Sequence, residues 1–317
     1  MRFNKFVLST LAFLCLFLIA CDRNKPKSGK WQDTVSAGFI QIAADESYEP
    51  IMNSQIQVFE SIYTKAGILP IYTTEDEALK LLYEDSVRLA IVSRTLTPSE
   101  HQAYNAKKRF PREMKIATGA IALIINKSNP DSVINVKTIE KILTGKISKW
   151  TEINPNSPLK GDINVVFDNK ESGTIRYAID SICGGAPLST KLYAETKNQD
   201  VVSYVSKSPH ALGIIGVDWV GDAGDTTRMN FNKDITVMAV SRFDSPSVSN
   251  SYKPYQAYIA NSQYPLTRNV YAILNDPRGG LSSGFVTFIC SQRGQYIILK
   301  SGLVPATQIV RLVYVTK

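Results

Sequence analysis

Hydrophobic positions along the chain alternate between short apolar runs of strand character and stretches at helical spacing. Phe39-Ile40-Gln41-Ile42-Ala43 reads as a strand, and Pro50 opens a helix whose apolar positions Ile51, Met52, Phe59, Ile62 and Tyr63 follow at roughly helical intervals. Ile68–Tyr72 is a second strand, and Glu75–Tyr83 a second helix with Ala78, Leu79 and Leu82 on its buried side. Leu89-Ala90-Ile91-Val92 is apolar throughout, as a parallel strand covered on both faces is. Lys115–Asn126 forms a long apolar strand containing Gly119, long enough to leave one lobe and enter another. A helix over Val136–Thr144, a turn at Gly145, a strand over Ile163–Phe167 and a helix from about Thr174 to Cys183 follow, the last stopped by Gly184-Gly185. Beyond a helix over Asp200–Ser206 and a strand over Leu212–Gly216, irregular Ser- and Asn-rich sequence runs to Tyr264. Asn269–Leu274 is a strand, Gly284–Leu299 a single helix, and Ile309–Val315 a β-rich tail. The alternation predicts an α/β architecture without internal repeats.

The N-terminus adds a compartment. Arg2 and Lys5 precede an apolar run from Phe6 to Ala20, the layout of a secretory signal. The run is about fifteen residues, short of the ~20 that a membrane-spanning helix needs. Leu18-Ile19-Ala20-Cys21 resembles a bacterial lipobox, so residues 1–20 are expected to be removed and Cys21 to carry lipid. Residues 21–33, rich in Lys, Asn, Ser, Gly and Pro, read as a solvated tether. Loss of Arg2 and Lys5 leaves 34 basic against 28 acidic residues, a net charge of +6. That modest excess serves solubility or the steering of an anion equally well. Lys and Arg do not cluster with aromatics, which disfavours a nucleic-acid partner. Cys183 and Cys290 are far apart, and free thiols are expected. The two histidines, His101 and His210, stand alone, and no nucleophile elbow, metal-binding helix or phosphate loop of known pattern is present. The expectation is a binding protein without cofactor or metal, not an enzyme.

Three turns can carry chemistry. Asp168-Asn169-Lys170-Glu171-Ser172-Gly173-Thr174 lies between a strand and a helix, where free N–H groups and two hydroxyls suit an oxyanion. Taken alone, its Ser-Gly-Thr is an ordinary helix cap. Asp45-Glu46-Ser47-Tyr48-Glu49-Pro50 repeats the logic, with acidic residues that repel an anion unless it carries protons. Ser93-Arg94-Thr95 follows an apolar strand where open sheets place ligand residues, and Arg94 offers a planar donor fork or pairs with a carboxylate.

These segments resemble the phosphate-binding protein of bacterial phosphate ABC transporters, in the divergent lipoprotein form seen in Bacteroidetes-like sequences. The similar stretches are Ala44–Pro50, Arg88–Thr97, Gly119–Pro130, Ile139–Trp150, Ser172-Gly173-Thr174, Ala211–Gly216 and Tyr264-Pro265-Leu266-Thr267-Arg268, with Ile142–Trp150 the most specific. The resemblance implies a periplasmic binding protein of type 2 (type II) fold, two α/β lobes with a ligand cleft between them. Lobe one would comprise 34–118 plus 266–317, and lobe two 119–265. By position it implies ligand contacts from Ser47, Thr74, Ser93, Arg94, Ser172, Gly173 and Thr174. It implies a monomer on the periplasmic side of the envelope, held to the membrane through Cys21, that delivers phosphate or a similar oxyanion to an inner-membrane ABC permease. Two departures stand out: Asp168 occupies the position of the arginine that usually precedes Ser-Gly-Thr, and Arg94 stands where relatives often place an aspartate. Arg94 is the expected replacement cation, with Lys170 or Arg176 as further contributors. The competing reading is an envelope sensor or scaffold with altered or lost phosphate binding; an exported hydrolase lacks a nucleophile–base pair.

Overall fold

A computed structural model describes residues 33–195, 197–222 and 230–308. The leader, Cys21, all of the tether but its last residue and the tail expected over Ile309–Val315 lie outside the described residues. β1 (Ala37–Asp45) ends in a single 3-10 turn, Glu46–Tyr48, which runs directly into α1 (Glu49–Ile62) with Pro50 in its first turn. Next come β2 (Lys65–Thr73), α2 (Glu75–Tyr83), β3 (Leu89–Val92), α3 (Pro98–Ala106) and the long β4 (Arg112–Asn126). The middle of the chain supplies β5 (Val133–Asn135), α4 (Val136–Leu143), α5 (Trp150–Ile153), β6 (Asn164–Phe167), α6 (Gly173–Tyr177), β7 (Tyr193–Ala194), α7 (Asn198–Lys207) and β8 (Ala211–Gly216). The remainder is β9 (Ile235–Val237), β10 (Ala239–Ser241), β11 (Ser251–Tyr252), α8 (Gln256–Ala260), β12 (Thr267–Leu274), α9 (Leu281–Cys290), α10 (Gln292–Lys300) and β13 (Val304–Pro305).

The strands and helices expected within the described residues largely recur, joined by α3, β5, α5, β7 and β13, which the pattern does not single out, and three further differences are informative. The stretch after β8 that reads as irregular contains β9, β10, β11 and α8, elements of two to five residues, too short for a period to register. The single helix expected over Gly284–Leu299 is two, because Ser291 is extended (φ −72°, ψ 166°) and its side chain accepts from the Gly294 amide at 3.4 Å to start α10. The helix after β6 begins at Gly173 and widens into a π-helical turn over Ala178–Ile182, closed by Gly184 and Gly185 at φ 60° and 87°.

Among the described residues the main sheet runs β2-β1-β3-β12-β4-β8-β6-β7, with β9 and β13 also on β4. β1 is parallel to β2 and β3, and β6 is parallel to β7 and β8, so each half is a parallel unit. β4 joins the halves: Arg112–Ala120 pairs with β12, and Ile121–Ile125 pairs with β8. The chain returns at the same level, where the Ile121 amide donates to the Leu266 carbonyl at 2.8 Å. Apolar strands fill the interior: all four residues of β3 and the run Ala120–Ile125 are buried to within 1%. Trp150 is fully buried and donates through Nε1 to the His210 carbonyl at 3.2 Å, which ties the Ile142–Trp150 segment to the strand that follows His210. Among the described residues no helix is long and apolar enough to cross a membrane.

Candidate functional site

The C-terminal ends of parallel strands are where open α/β sheets gather ligand residues. Here β1, β3, β6 and β8 end against one another across the junction of the two halves. Asp45 closes β1; its Oδ1 accepts the Ser47 amide at 2.8 Å, and its Oδ2 accepts the Gly173 amide at 3.2 Å from the opposite half. Gly173 permits that approach, since a Cβ there would stand 2.5 Å from Asp45 Oδ2 and 3.1 Å from Ser93 Oγ. At the end of β6, Asp168 accepts the hydroxyls of Ser172 at 2.5 Å and Thr174 at 3.0 Å. Ser172 in turn caps α6 by accepting from the Ile175 amide at 3.2 Å.

Glu75, the first residue of α2, takes the Ser93 amide at 2.7 Å and the Ser93 hydroxyl on Oε2, while the Arg176 Nε–H reaches Oε1 from α6. Arg176 also donates through Nη2 to Ser93 Oγ at 2.8 Å. A third strap crosses where Trp219, after β8, donates through Nε1 to the Ser47 carbonyl at 2.8 Å. The halves are thus closed on each other by an amide–carboxylate bond, a guanidinium–carboxylate pair and an indole–carbonyl bond.

The enclosed groups are mostly acidic. Burial raises Asp45, Asp168 and Asp218 above the ordinary carboxylate range, against the attraction of Arg268; Asp218 is pushed up to about 7. Burial, then the charge of Asp168, pushes Glu46 up to about 7. Glu75 is the exception: burial alone would raise it, but Arg176 and the Ser93 amide and hydroxyl outweigh burial and hold it low.

Arg268 is 5% exposed and its Nη1 and Nη2 have no hydrogen-bond partner. Burial opposes its charge, yet Tyr48, Asp45, Asp218 and Asp168 together hold it firmly protonated. Its guanidinium carbon lies 5.0 Å from the centre of the Tyr48 ring, and a Cβ at Gly216 would be 3.1 Å from Nη2. Ser47 Oγ, Tyr48 Oη and Asp218 Oδ2 are likewise buried without a partner. Among the described residues no group of His, Cys, Asp and Glu is arranged to hold a metal ion.

Of the residues singled out from the sequence, Ser47, Ser93, Ser172, Gly173 and Thr174 come together here. Thr74 instead caps α2 by accepting from the Glu77 amide at 3.3 Å. Arg94 points its fork at Glu100, with Nη1 and Nη2 donating at 2.8 and 2.9 Å. The cation buried among these groups with its terminal nitrogens unpartnered is Arg268, which the sequence offers only as the last residue of a similar stretch. Its signal was present: along β12, alternation puts Arg268 on the buried face with Val270 and Ala272. Cys183 and Cys290 are free thiols.

Residues 27–293 match the PBP superfamily domain, a family of solute-binding proteins rather than enzymes. The phosphate-binding protein PstS of Pseudomonas aeruginosa is 19% identical over 284 residues, covering 85% of this chain and 83% of that protein. PstS of Borreliella burgdorferi is 22% identical over 273 residues, covering 83% and 88%. Among solved structures, a putative phosphate ABC transporter substrate-binding protein with bound phosphate from Clostridium perfringens superposes with a TM-score of 0.71 at 23% identity, over 85% of this chain and all of that one. An ABC-type phosphate transport receptor from Vibrio cholerae gives 0.65 at 19% identity, over 84% and 100%. With most of its length matched to the domain and its sheet shared with these structures, the chain belongs to the PBP superfamily and has the α/β, two-lobe type II fold.

Proposed function

We propose that the chain is an exported, lipid-anchored solute-binding protein that captures a small oxyanion, inorganic phosphate, between its lobes and delivers it as a monomer to an ABC permease. The observation that carries this reading is the set of buried donors without partners, Ser47 Oγ, Tyr48 Oη and both terminal nitrogens of Arg268, enclosed where the two halves meet. Unpaired buried donors are costly, on the order of 1–3 kcal/mol each and more when charged, and a tetrahedral oxyanion satisfies several at once. Phosphate follows from the relatives, which bear that ligand in their names. Raised carboxyls beside the space suit a ligand that carries protons, since an un-ionised Asp218 does not repel it and an ionised one accepts its O–H. The lobes are residues 34–118 with 266–317, and 119–265, moving about β4 and the start of β12. Cys21 carries the lipid and the following residues form the tether.

Calorimetric titration of phosphate into the mature chain, with sulfate, molybdate and arsenate as competitors, tests this. Saturable one-to-one heat with phosphate is expected; silence with every oxyanion at millimolar concentration refutes it. One observation favours the second reading, an envelope sensor or scaffold: the Gly173 and Ser93 amides, expected anion donors, are taken by Asp45 and Glu75. Recovery of an envelope kinase instead of a permease by the tethered protein supports that reading.

A further inference from the structure

The usual family position for a cation, just before Ser-Gly-Thr, holds Asp168, whose carboxylate serves the Ser172 and Thr174 hydroxyls. Three other cations lie near. Lys170, two residues past Asp168, is exposed. Arg94 is committed to Glu100, with Asp76 and Glu75 also within 3.6 Å, and Arg176 to Glu75, Ser93 and Asp180. Arg268 alone combines near-complete burial with two terminal nitrogens that no described group accepts from.

Its position differs from that of a loop arginine. Arg268 is the second residue of β12, paired with Gly119 of β4 beside the point where the chain passes between the halves. Gly216, at the end of β8 on the other half, leaves room for Nη2, because any side chain there would press on the guanidinium and on Asp218. Tyr48 supplies its ring face from the first turn of lobe one, an arrangement that attracts a cation.

We infer that Arg268 is the charge partner of the bound oxyanion, so that the ligand's charge is gripped from the inter-lobe strand by a planar donor fork and not from the Ser-Gly-Thr turn. The inference rests on the oxyanion-binding reading above. In this arrangement Ser47 and Tyr48 hydroxyls add donors from lobe one, while Asp218 faces the same space from lobe two as the acceptor for a ligand hydroxyl. The ligand class is a tetrahedral oxyanion that keeps at least one proton. A fully ionised anion gains the guanidinium but meets Asp45, Asp168 and Asp218 without a proton to offer them.

Inorganic phosphate is titrated calorimetrically into the full mature chain as wild type, Arg268→Lys and Arg268→Gln, each checked by thermal melting. Arg268→Gln is expected to weaken binding at least a hundredfold and Arg268→Lys about tenfold, the lysine keeping the charge but not the fork. Because a buried arginine variant can fail to fold, the wild-type protein is also labelled with 15N-arginine, and the Arg268 guanidinium resonances are expected to shift on phosphate addition. A folded Arg268→Gln that binds within threefold of wild type overturns the inference, as does an Arg268 resonance unmoved at saturation. No phosphate binding by the wild type refutes instead the reading on which the inference rests.

Discussion

Gly173→Ala perturbs the closed cleft by a single methyl group. Gly173 is the first residue of α6 and its backbone is not left-handed, so alanine fits the helix, with a propensity gain smaller than the roughly 0.5–1 kcal/mol of a helix interior. The cost lies across the cleft. The added carbon would sit 2.5 Å from Asp45 Oδ2 and 3.1 Å from Ser93 Oγ, where ordinary contact begins at 3.4 Å. The turn must therefore retreat by about 0.9 Å from Asp45, which lengthens the 3.2 Å amide–carboxylate bond beyond hydrogen-bonding range. Leaving a buried donor or acceptor without its partner costs about 1–3 kcal/mol, equivalent to roughly a 5- to 150-fold loss in phosphate affinity if closure accompanies binding. Calorimetry gives the affinity, and small-angle scattering with and without phosphate gives the closure. Ligand-free melting is expected to move by only a few degrees, since helix gain and contact loss oppose each other. An unchanged affinity with normal closure is the contrary result: it would mean that the Ser-Gly-Thr turn does not meet lobe one when the ligand is held.

Two further predictions concern groups at the edge of the site. Arg94→Ala removes a fork to Glu100 whose partners are 20% and 32% exposed, so stability falls by about 0.5–1 kcal/mol while phosphate affinity changes less than threefold, read by urea unfolding and calorimetry. In the same variant Glu100, held near 2 by Arg94 and the Thr97 amide against burial, titrates closer to an ordinary glutamate, visible by NMR. Asp218 titrates near 7 when folded and near 4 when unfolded, so the folded chain binds its proton more tightly between these values. Its contribution is complete below about pH 4 and is lost as pH rises to 7, a slope of stability with pH worth roughly a few kcal/mol. Asp218→Asn should flatten that slope in urea-unfolding midpoints; an identical slope removes Asp218 as its source.

What the sequence made legible was whatever repeats locally. Leu89–Val92 announces a doubly covered strand by composition alone, and Glu75–Tyr83 shows its buried stripe at helical spacing. Ser291 did not announce the break between α9 and α10, because apolar residues continue on both sides and only the backbone at that serine turns out of the helix. The site was half visible. Ser172, Gly173 and Thr174 stand at a strand–helix turn that physical rules single out, whereas their partners depend on long-range contacts: Asp45 meets Gly173 across 128 residues, and Glu75 meets Arg176 across 101. Arg94 drew attention by following an apolar strand, but Glu100, which takes its fork, lies in the capping box of α3 six residues on. Arg268 was readable from the alternation of β12, had a charged residue on a buried face been weighted above the turn chemistry.

The most direct measurement is a crystal structure of the mature chain with phosphate bound. A tetrahedral anion is expected between the halves, with oxygens at about 3 Å from Arg268 Nη1 or Nη2 and from Ser47 Oγ, and with Arg94 still on Glu100. Phosphate bound elsewhere, or against Arg94 with Arg268 unengaged, contradicts it.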